Sequence, residues 1–333
     1  MTSGSGPTMI DRRVLLAGTA AALAGTAPGT PASAAGYPAR PVRFLVPYAA
    51  GGGTDLITRA LTDIVARDWN ASVVIENRPG GGTTIASMVA LGAPPDGYTL
   101  LAVSNGFLVS PMMMPSPPYV WNRDFTGISL FAVSPHILVV HPSVPAKTFA
   151  EFATWAKAEK DKATYASFGN GASNQIGFEM LKHNLGLRTT HVPYKGSAPA
   201  LNDLVAGHVK CMLADLQNVS QLVKVGTLHA IAVANEKRLP SMPDVPTLDE
   251  LGVKGFTSKS LFGAVARKGT PPEIIAKWST ALAAAIKQPA LQQRLGGLGV
   301  ELIGSTPEQM NAFLAAEAVK AEQAVKESGA KME

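Results

Sequence analysis

The chain has 333 residues, of which 46% are hydrophobic and 16% are charged, with a formal net charge of +5. This composition can fill a sizeable core and excludes a disordered chain, and the length allows two domains of ordinary size. Lysine and arginine are scattered and do not alternate with aromatic residues, which argues against nucleic-acid binding.

The first 34 residues predict a secretory signal peptide. Arg12 and Arg13 precede an apolar, alanine-rich run of 14 residues, and small residues follow up to Ala34. This order of charged, apolar and small residues is typical of export signals, and the paired arginines favour the twin-arginine route over the general one. The apolar run is too short to span a membrane. The mature protein is expected to begin near Ala35 and to be periplasmic.

Strand and helix patterns alternate along the rest of the chain. Short apolar runs predict strands, and apolar residues spaced by three and four predict amphipathic helices. The predicted strands are VRFLV, SVVIE, YTLLAVS, ISLFAV, HILVV, ATYASF, TTHVPY, VKCMLA, LHAIAVA and LFGAVA, followed by a helical C-terminus. Repeated strand–helix units indicate an α/β fold with mainly parallel sheets flanked by helices.

Capping boxes mark three of the predicted helix starts. In such a box a threonine side chain and an acidic or amide side chain three residues later satisfy each other's backbone N–H groups. The last two boxes also carry proline at the first helical position, where it is favoured. The pairs are Thr148 with Glu151, Thr270 with Glu273, and Thr306 with Gln309.

Four loops that follow predicted strands are rich in glycine and small polar residues. They are VPYAAGGGTDL, AVSNGFL, SFGNGASNQ and VPYKGSAPAL. Ligands of α/β sheets bind at the carboxyl ends of the strands, and the free N–H groups of a helix N-terminus favour an anion. One such loop is explained as well by a turn or a cap, but several together predict an anion site. Phosphate-binding motifs are absent, so the sequence favours a carboxylate.

No catalytic constellation is assembled in the sequence, and no cofactor or metal site is predicted. There is no Gly-x-Ser-x-Gly motif, and the histidines lack metal-binding spacing. The single cysteine, Cys211, lies in a predicted buried strand and is expected to be inert. Asp55 is either a helix cap or a ligand contact. Asp215 ends a buried strand and needs a hydrogen-bond donor from the protein or from a ligand.

A group of long motifs runs in order from about Tyr37 to the C-terminal part of the chain. They are YPARPVRFLVPYAAGGGTDLITRAL, VVIENRPGGG, PDGYTLL, YASFGNGASN, HVPYKGSAPALNDLVAGHV and LPSMPDVPTLDELG. Together they resemble the Bug family, the extracytoplasmic solute-binding receptors of tripartite tricarboxylate transporters. The resemblance implies a two-domain periplasmic-binding-protein fold of the Venus-flytrap, type II-like kind, with a small carboxylate held between the domains and no cofactor.

The resemblance also implies which residues bind the ligand. The carboxylate is expected to be held by the loop after the first strand and by the Ser/Gly loop of the other domain, partly through ordered waters. Phe168 stands where the family commonly has Ser or Thr, which favours an aromatic or partly apolar acid. The implied ligand-binding residues are Tyr48, Gly52, Gly53, Thr54, Asp55, Ser104, Asn105, Ser167, Phe168, Gly169, Gly171, Ser173, Asn174, Tyr194, Lys195, Gly196 and Asp215.

The sequence therefore predicts a monomeric solute-binding receptor that is not an enzyme. It would carry a dicarboxylate, or an aromatic or partly apolar organic acid, to the membrane subunits of a tripartite tricarboxylate-type transporter. Domain 1 is predicted to comprise residues 37–135 and 260–333, and domain 2 residues 136–259. The alternatives are a receptor for a membrane signalling partner and, less favoured, a periplasmic hydrolase-like enzyme.

Overall fold

The computed structural model describes residues 1, 2, 4, 36–296 and 299–328. The predicted signal peptide, apart from positions 1, 2 and 4, and the predicted cleavage site near Ala35 lie outside the described residues. Within the described ranges, no helix has both the length and the apolar character that crossing a membrane requires.

Helices and strands alternate over most of the described chain. The strands are β1 (Val42–Val46), β2 (Val73–Asn77), β3 (Thr99–Val103), β4 (Phe125–Val140), β5 (Thr164–Ser167), β6 (Thr190–Pro193), β7 (Cys211–Asp215), β8 (His229–Ala234), β9 (Lys259–Arg267) and β10 (Glu301–Leu302). The α-helices are α1 (Gly53–Trp69), α2 (Thr84–Gly92), α3 (Gly106–Met112), α4 (Trp121–Asp124), α5 (Phe149–Glu159), α6 (Ser173–Leu185), α7 (Ser197–Val205), α8 (Leu216–Lys224), α9 (Pro272–Ile286), α10 (Pro289–Leu291) and α11 (Pro307–Ser328).

The strands form one continuous sheet in the order β2-β1-β3-β9-β4-β7-β5-β6, with β8 and β10 also paired to β4. Strand β4 joins two parts of this sheet, because its partners change along its length. Up to Pro135 it pairs antiparallel with β9, and from His136 it pairs with β7 and β8. We call β1–β3, β9, β10 and β4 up to Pro135 sheet region 1, and β5–β8 with β4 from His136 sheet region 2.

Each sheet region is covered on both faces. Successive side chains of a strand point to opposite faces, and β1 shows the consequence: Phe44 packs into a core cluster with Trp278 of α9, whereas Leu45 packs with Phe107 of α3. Region 2 likewise has one apolar cluster on each face. Both regions are therefore sheet layers packed on both faces, and the connecting loops leave from the ends of their strands.

The strand predicted at ISLFAV and the strand predicted at HILVV form the single strand β4. The two predictions were separated by Ser134 and Pro135, since proline cannot donate a ladder hydrogen bond and usually interrupts a strand. Here Pro135 is the last residue before β4 changes partners. The chain can therefore pass from one sheet region to the other in one extended segment.

Two of the predicted capping boxes are confirmed. Thr148 accepts a hydrogen bond from the N–H of Glu151, whose carboxylate in turn accepts from the N–H of Thr148 at the start of α5. Thr306 and Gln309 make the same reciprocal pair before α11. The local pattern of residues was sufficient in both cases, because the box involves only contacts within one turn.

The box predicted at Thr270 and Glu273 is wrong. Helix α9 begins at Pro272, one residue later than the box requires, and Pro271 occupies the N-cap position. The hydroxyl of Thr270 donates instead to the carbonyl of Arg267. The second proline explains the difference: a residue that precedes proline is disfavoured in the helical region, so Pro271 stays extended and the helix starts after it.

Candidate ligand-binding site

A small cavity lies where the loops of the two sheet regions meet, with a volume of about 20 Å³. This is room for about one water molecule. Region 1 and the loops attached to it supply one wall, and region 2 supplies the other. The lining residues are Tyr48, Gly52, Gly53, Thr54, Ser104, Ser260 and Phe262 on the first wall, and Phe168, Ala172, Ser173, Ser197 and Asp215 on the second.

Four helices begin at this cavity. Gly53, Ser173 and Ser197 are the first residues of α1, α6 and α7, and Asp215 is the N-cap residue of α8. The N–H groups of a first helical turn have no partner within the helix, and the helix dipole places partial positive charge there. Among the lining residues in the described part of the chain there is no Lys or Arg. The groups that this lining offers to an anion are therefore backbone N–H groups and hydroxyls, and not cationic side chains.

The glycines of the β1–α1 loop allow the two walls to approach. Gly51 has φ +82°, a left-handed conformation that favours glycine, and Gly52 is the extended N-cap of α1. A Cβ added to Gly53 would lie 2.9 Å from Nε2 of Gln217 and 3.2 Å from Oδ2 of Asp215. The α1 N-terminus thus packs directly against the end of β7, with no space for a side chain at Gly53.

Tyr48 and Ser104 form a buried hydroxyl pair on the first wall. Their oxygens are 2.6 Å apart, and either can be the donor. Burial raises the pKa of Tyr48 to about 12, and the negative charge of Asp215 adds to the rise, although the hydrogen bond with Ser104 opposes it. Tyr48 is therefore a neutral hydroxyl at physiological pH.

On the second wall, Ser173 belongs to a polar cluster beneath the cavity. Its Oγ lies 3.2 Å from Oγ of Ser260 and 3.4 Å from Nε2 of His136. His136 is fully buried at the point where β4 changes partners, and its ring nitrogens contact Ser258 at 2.8 Å and Ser260 at 3.0 Å. The cluster connects the α6 N-terminus to β4, where this strand changes partners, and to the start of β9.

Phe168 and Phe262 give the cavity an apolar side. Both rings line it, and Phe168 is also part of a core cluster that includes Tyr48. The N–H of Phe168 donates to Oδ1 of Asn174, whose Nδ2 donates to the carbonyl of Leu213. Asn174 thereby holds the β5–α6 loop in place, and its side chain points into the protein.

Of the predicted site residues, eight line this cavity: Tyr48, Gly52, Gly53, Thr54, Ser104, Phe168, Ser173 and Asp215. Nine do not: Asp55, Asn105, Ser167, Gly169, Gly171, Asn174, Tyr194, Lys195 and Gly196. The ligand-binding role of the residues in both groups stays a prediction. The contacts of the nine residues outside the cavity show which of them hold a loop in place and which line a neighbouring space.

Several residues outside the cavity are occupied by contacts within the protein. Asn105 accepts a hydrogen bond from the N–H of Leu261, and Oγ of Ser167 lies 2.6 Å from Nε2 of His191. Burial lowers the pKa of His191 to about 4, so that its ring is neutral at physiological pH. The N–H of Gly171 donates to Oε1 of Gln175.

A second space of about 270 Å³ shares Tyr48 and Phe168 with the cavity. Gly169, Tyr194 and Lys195 line this neighbouring space together with the loop Gly80–Thr83. Tyr194 also donates a hydrogen bond to Asp203, 2.6 Å away.

Four lining residues are absent from the predicted set: Ala172, Ser197, Ser260 and Phe262. Ser197 directly follows Gly196 and opens α7, so the helix-start signal could have identified it. Ser260 and Phe262 lie on β9, far along the chain from the other loops. Only the pairing of β9 with β3 and β4 brings them to the cavity.

Direct hydrogen bonds connect the two walls. The N–H of Ala49 donates to the carbonyl of Lys195 at 2.8 Å, and the N–H of Gly53 donates to Oγ of Ser197 at 3.2 Å. The hydroxyl of Ser110, on α3, lies 2.6 Å from the carbonyl of Gly82 and 3.1 Å from that of Asn170. The described arrangement is therefore a closed one.

Comparisons with curated proteins find relatives that match most of the chain. Curated relatives include a protein from the gbd 5′ region of Cupriavidus necator, 35% identical over 94% of this chain and 94% of its own length. Another is BugT of Bordetella pertussis, 31% identical over 88% of this chain and 91% of its own length.

Solved structures give the same fold. The periplasmic binding protein BugD aligns with a TM-score of 0.85 and 34% identity, covering 89% of this chain and all of BugD. An adipate-bound protein of R. palustris aligns with a TM-score of 0.85 and 31% identity, covering 89% of this chain and all of the R. palustris protein. MatC of Rhodopseudomonas palustris, with bound malate, aligns with a TM-score of 0.81 and 32% identity, covering 87% of this chain and all of MatC.

These neighbours confirm the predicted α/β fold of the two-domain periplasmic-binding-protein type. The prediction of mainly parallel sheets is wrong in detail: the sheet is mixed, because β4 pairs antiparallel with β7, β8, β9 and β10. The family model described as "Tripartite tricarboxylate transporter family receptor" matches residues 57–330, most of the chain. The predicted resemblance to the Bug receptors is thus confirmed, and the family and its solved members are binding proteins rather than enzymes. The chain belongs to the tripartite tricarboxylate transporter receptor family.

Proposed function

We propose that this protein is an exported receptor that binds a small carboxylate between its two sheet regions and delivers it to a tripartite tricarboxylate-type transporter. One observation supports the carboxylate above all: four helices begin at a single cavity that has no Lys or Arg in its lining. Such an arrangement stabilises a negative group through backbone N–H groups and helix dipoles.

The ligand class follows from the rest of the lining. Ser104, Ser173 and Ser197 offer hydroxyl groups near the helix N-termini, and Phe168 and Phe262 offer apolar surface. A small acid with an aliphatic or aromatic body would use both. Two solved relatives hold adipate and malate, which is consistent with small carboxylates as the ligand class.

Ligand entry requires the two walls to separate, because a space of about 20 Å³ is smaller than any organic acid. We propose that residues 37–135 with 260–333 move relative to residues 136–259, about the segments that cross between them. A carboxylate that touches both walls stabilises the closed state, since it makes more contacts there than in the open state. The membrane subunits would then distinguish filled from empty receptor by shape.

The first test is binding itself. A panel of dicarboxylates and aromatic acids should include a compound that raises the melting temperature with its concentration, as expected for a ligand of the native state. Calorimetry then gives its affinity. If no acid in the panel binds, while another class of compound does, the proposed function is wrong. Conversion of the bound acid into a product would indicate an enzyme.

The second test concerns the site. A Cβ at Gly171 would lie 2.2 Å from Oγ of Ser110, so Gly171→Leu should prevent closure and abolish binding. Gly186→Leu is the matched control, because Gly186 also has a left-handed φ but faces open space. Ser173→Ala should weaken binding by about 1.5–3 kcal/mol if its hydroxyl donates directly to the carboxylate. Equal affinities in all three variants would exclude this cavity.

The third test concerns closure. Small-angle scattering should give a smaller radius of gyration with saturating ligand than without it, because only a separated pair of walls can admit the acid. An unchanged radius would mean that the empty protein is already closed in solution, or that the hinge is wrong. The predicted monomer can be checked in the same measurement from the scattering mass.

A further inference from the structure

The carboxylate of Asp215 is the one charged group in the cavity lining of the described chain. The residue is 2% exposed, lies at the end of β7, and is the N-cap of α8 without capping it through its side chain. Its Oδ1 is buried and accepts no hydrogen bond. An ionised carboxylate in this state has lost its hydration without replacement, which is costly.

The neighbouring groups do not compensate for this loss. Nε2 of His136 lies 3.3 Å from Oδ1 of Asp215 but makes no hydrogen bond to it, and this nitrogen contacts Oγ of Ser260 at 3.0 Å. Nε2 of Gln217, beside Gly53, is also buried and unpartnered, whereas its Oε1 accepts from Ser134. Asp215, which lines the cavity, thus carries an acceptor atom that no group of the protein uses.

Asp215 also lies very close to the anion-binding end of α1. The Cβ position of Gly53 is 3.2 Å from Oδ2 of Asp215, and Gly53 opens that helix. A ligand carboxylate held by the first turn of α1 would therefore come within a few ångströms of a second carboxylate. Two such charges repel each other unless a proton donor lies between them.

We propose that Asp215 selects carboxylates that carry a polar hydrogen, a hydroxyl or an ammonium group, on the carbon next to the carboxylate. This inference rests on the proposed function and specifies its ligand class. The donor would occupy the unused acceptor on Asp215 while the carboxylate occupies the helix N-termini. A ligand without the donor leaves Asp215 without a hydrogen bond, and the carboxylates of the ligand and of Asp215 repel each other.

The preference for acids with a donor depends on the cost of leaving the Asp215 carboxylate without a hydrogen bond. A site built to hydrogen-bond a ligand group rejects the analogue that lacks the group, because the buried protein atom is left without a partner. We therefore expect acids with the donor to bind at least tenfold more tightly than their matched analogues. A hydroxyl supplies a hydrogen bond, whereas an ammonium group adds charge neutralisation.

The experiment uses matched ligands on the unaltered protein. Calorimetry would compare succinate with malate and aspartate, and 3-phenylpropanoate with phenyllactate and phenylalanine. Tighter binding of the hydroxy or amino members supports the inference, and their order separates the two kinds of donor. If the unsubstituted acids bind equally well or better, the inference is wrong and the carboxylate receptor stands. If no member of either series binds, the inference is wrong, and the wider panel of acids decides the proposed function.

A variant assigns the effect to Asp215. Asp215→Asn preserves the shape but removes the charge, so unsubstituted acids should bind more tightly and the discrimination should fall severalfold. Asp161→Asn is the control, since it also removes one negative charge but Asp161 is exposed and pairs with Arg188. Discrimination unchanged in folded Asp215→Asn would exclude Asp215 as its source. If this variant does not fold, the matched ligands on the unaltered protein still decide.

Discussion

The β1–α1 loop and the β7–α8 junction each place a buried aspartate at the start of a helix, but they treat it in opposite ways. Asp55 and Asp215 are both 2% exposed. Asp55 accepts hydrogen bonds from the N–H of Gly51 at 2.9 Å, from Asn77 at 2.8 Å and from Nε of Arg59 at 3.0 Å. Asp215 has an oxygen with no hydrogen bond.

The difference indicates which buried carboxylates are available to a ligand. A carboxylate that its own loop and neighbouring strand saturate fixes the loop, and it has little capacity left for a ligand. A carboxylate that the fold leaves unsatisfied, and that lines a cavity, is available to one. The contacts show that Asp55 fixes the β1–α1 loop and does not cap α1, whose N-cap residue is Gly52. They favour a ligand contact for Asp215.

The largest effect should follow the loss of the saturated acid. Asp55→Ala leaves three donors without their acceptor, and we expect the free energy of unfolding to fall by about 3 kcal/mol. Asp63→Ala, in the same helix but at an exposed position, should change it by less than about 0.5 kcal/mol. Urea denaturation measures both. If Asp55→Ala lowers ligand affinity but not the free energy of unfolding, Asp55 is a ligand contact and not a structural residue.

Two neighbouring glycines are required for different reasons: Gly53 has no space for a side chain, and Gly51 has a left-handed backbone conformation. Gly53→Ala places a Cβ against Gln217 and Asp215, so we expect ligand affinity to fall by about tenfold, equivalent to about 1.4 kcal/mol. Gly51→Ala has space but requires a left-handed alanine, which should lower stability by about 1 kcal/mol. If both substitutions affect only stability, the loop has no direct part in binding.

The smallest expected effect is a pH dependence. Burial opposes the ionisation of Asp55, but the hydrogen bonds from Arg59, Gly51 and Asn77 outweigh it and lower its pKa. The resulting stabilisation is complete above the unfolded pKa of about 3.9 and is lost as the pH falls through the folded pKa. The difference in unfolding free energy between the unaltered protein and Asp55→Asn should therefore shrink on acidification. A difference that is constant from neutral pH to below the folded pKa would contradict it.

Much of the fold was accessible from local pattern. The alternation of helices and strands, the boxes at Thr148 and Thr306, and the buried strand around Cys211 follow from apolar spacing and from contacts within a turn. Burial raises the pKa of the Cys211 thiol, as expected of an inert residue. The exceptions, at Pro135 and Thr270, arose where proline has two permitted roles and the neighbouring residues decide between them.

The sequence by itself determined the α/β class, the family, and most of the loops that line the cavity, because these depend on short-range periodicity and on long motifs. Tertiary structure decided which side chains of those loops face the cavity and which make hydrogen bonds within the protein that hold the loop in place. It also brought Ser260 and Phe262 to the site, through strand pairing across more than a hundred residues of chain. Whether a buried carboxylate has a partner is a property of three-dimensional contacts, so Asp55 and Asp215 look alike in sequence and differ only in the folded protein.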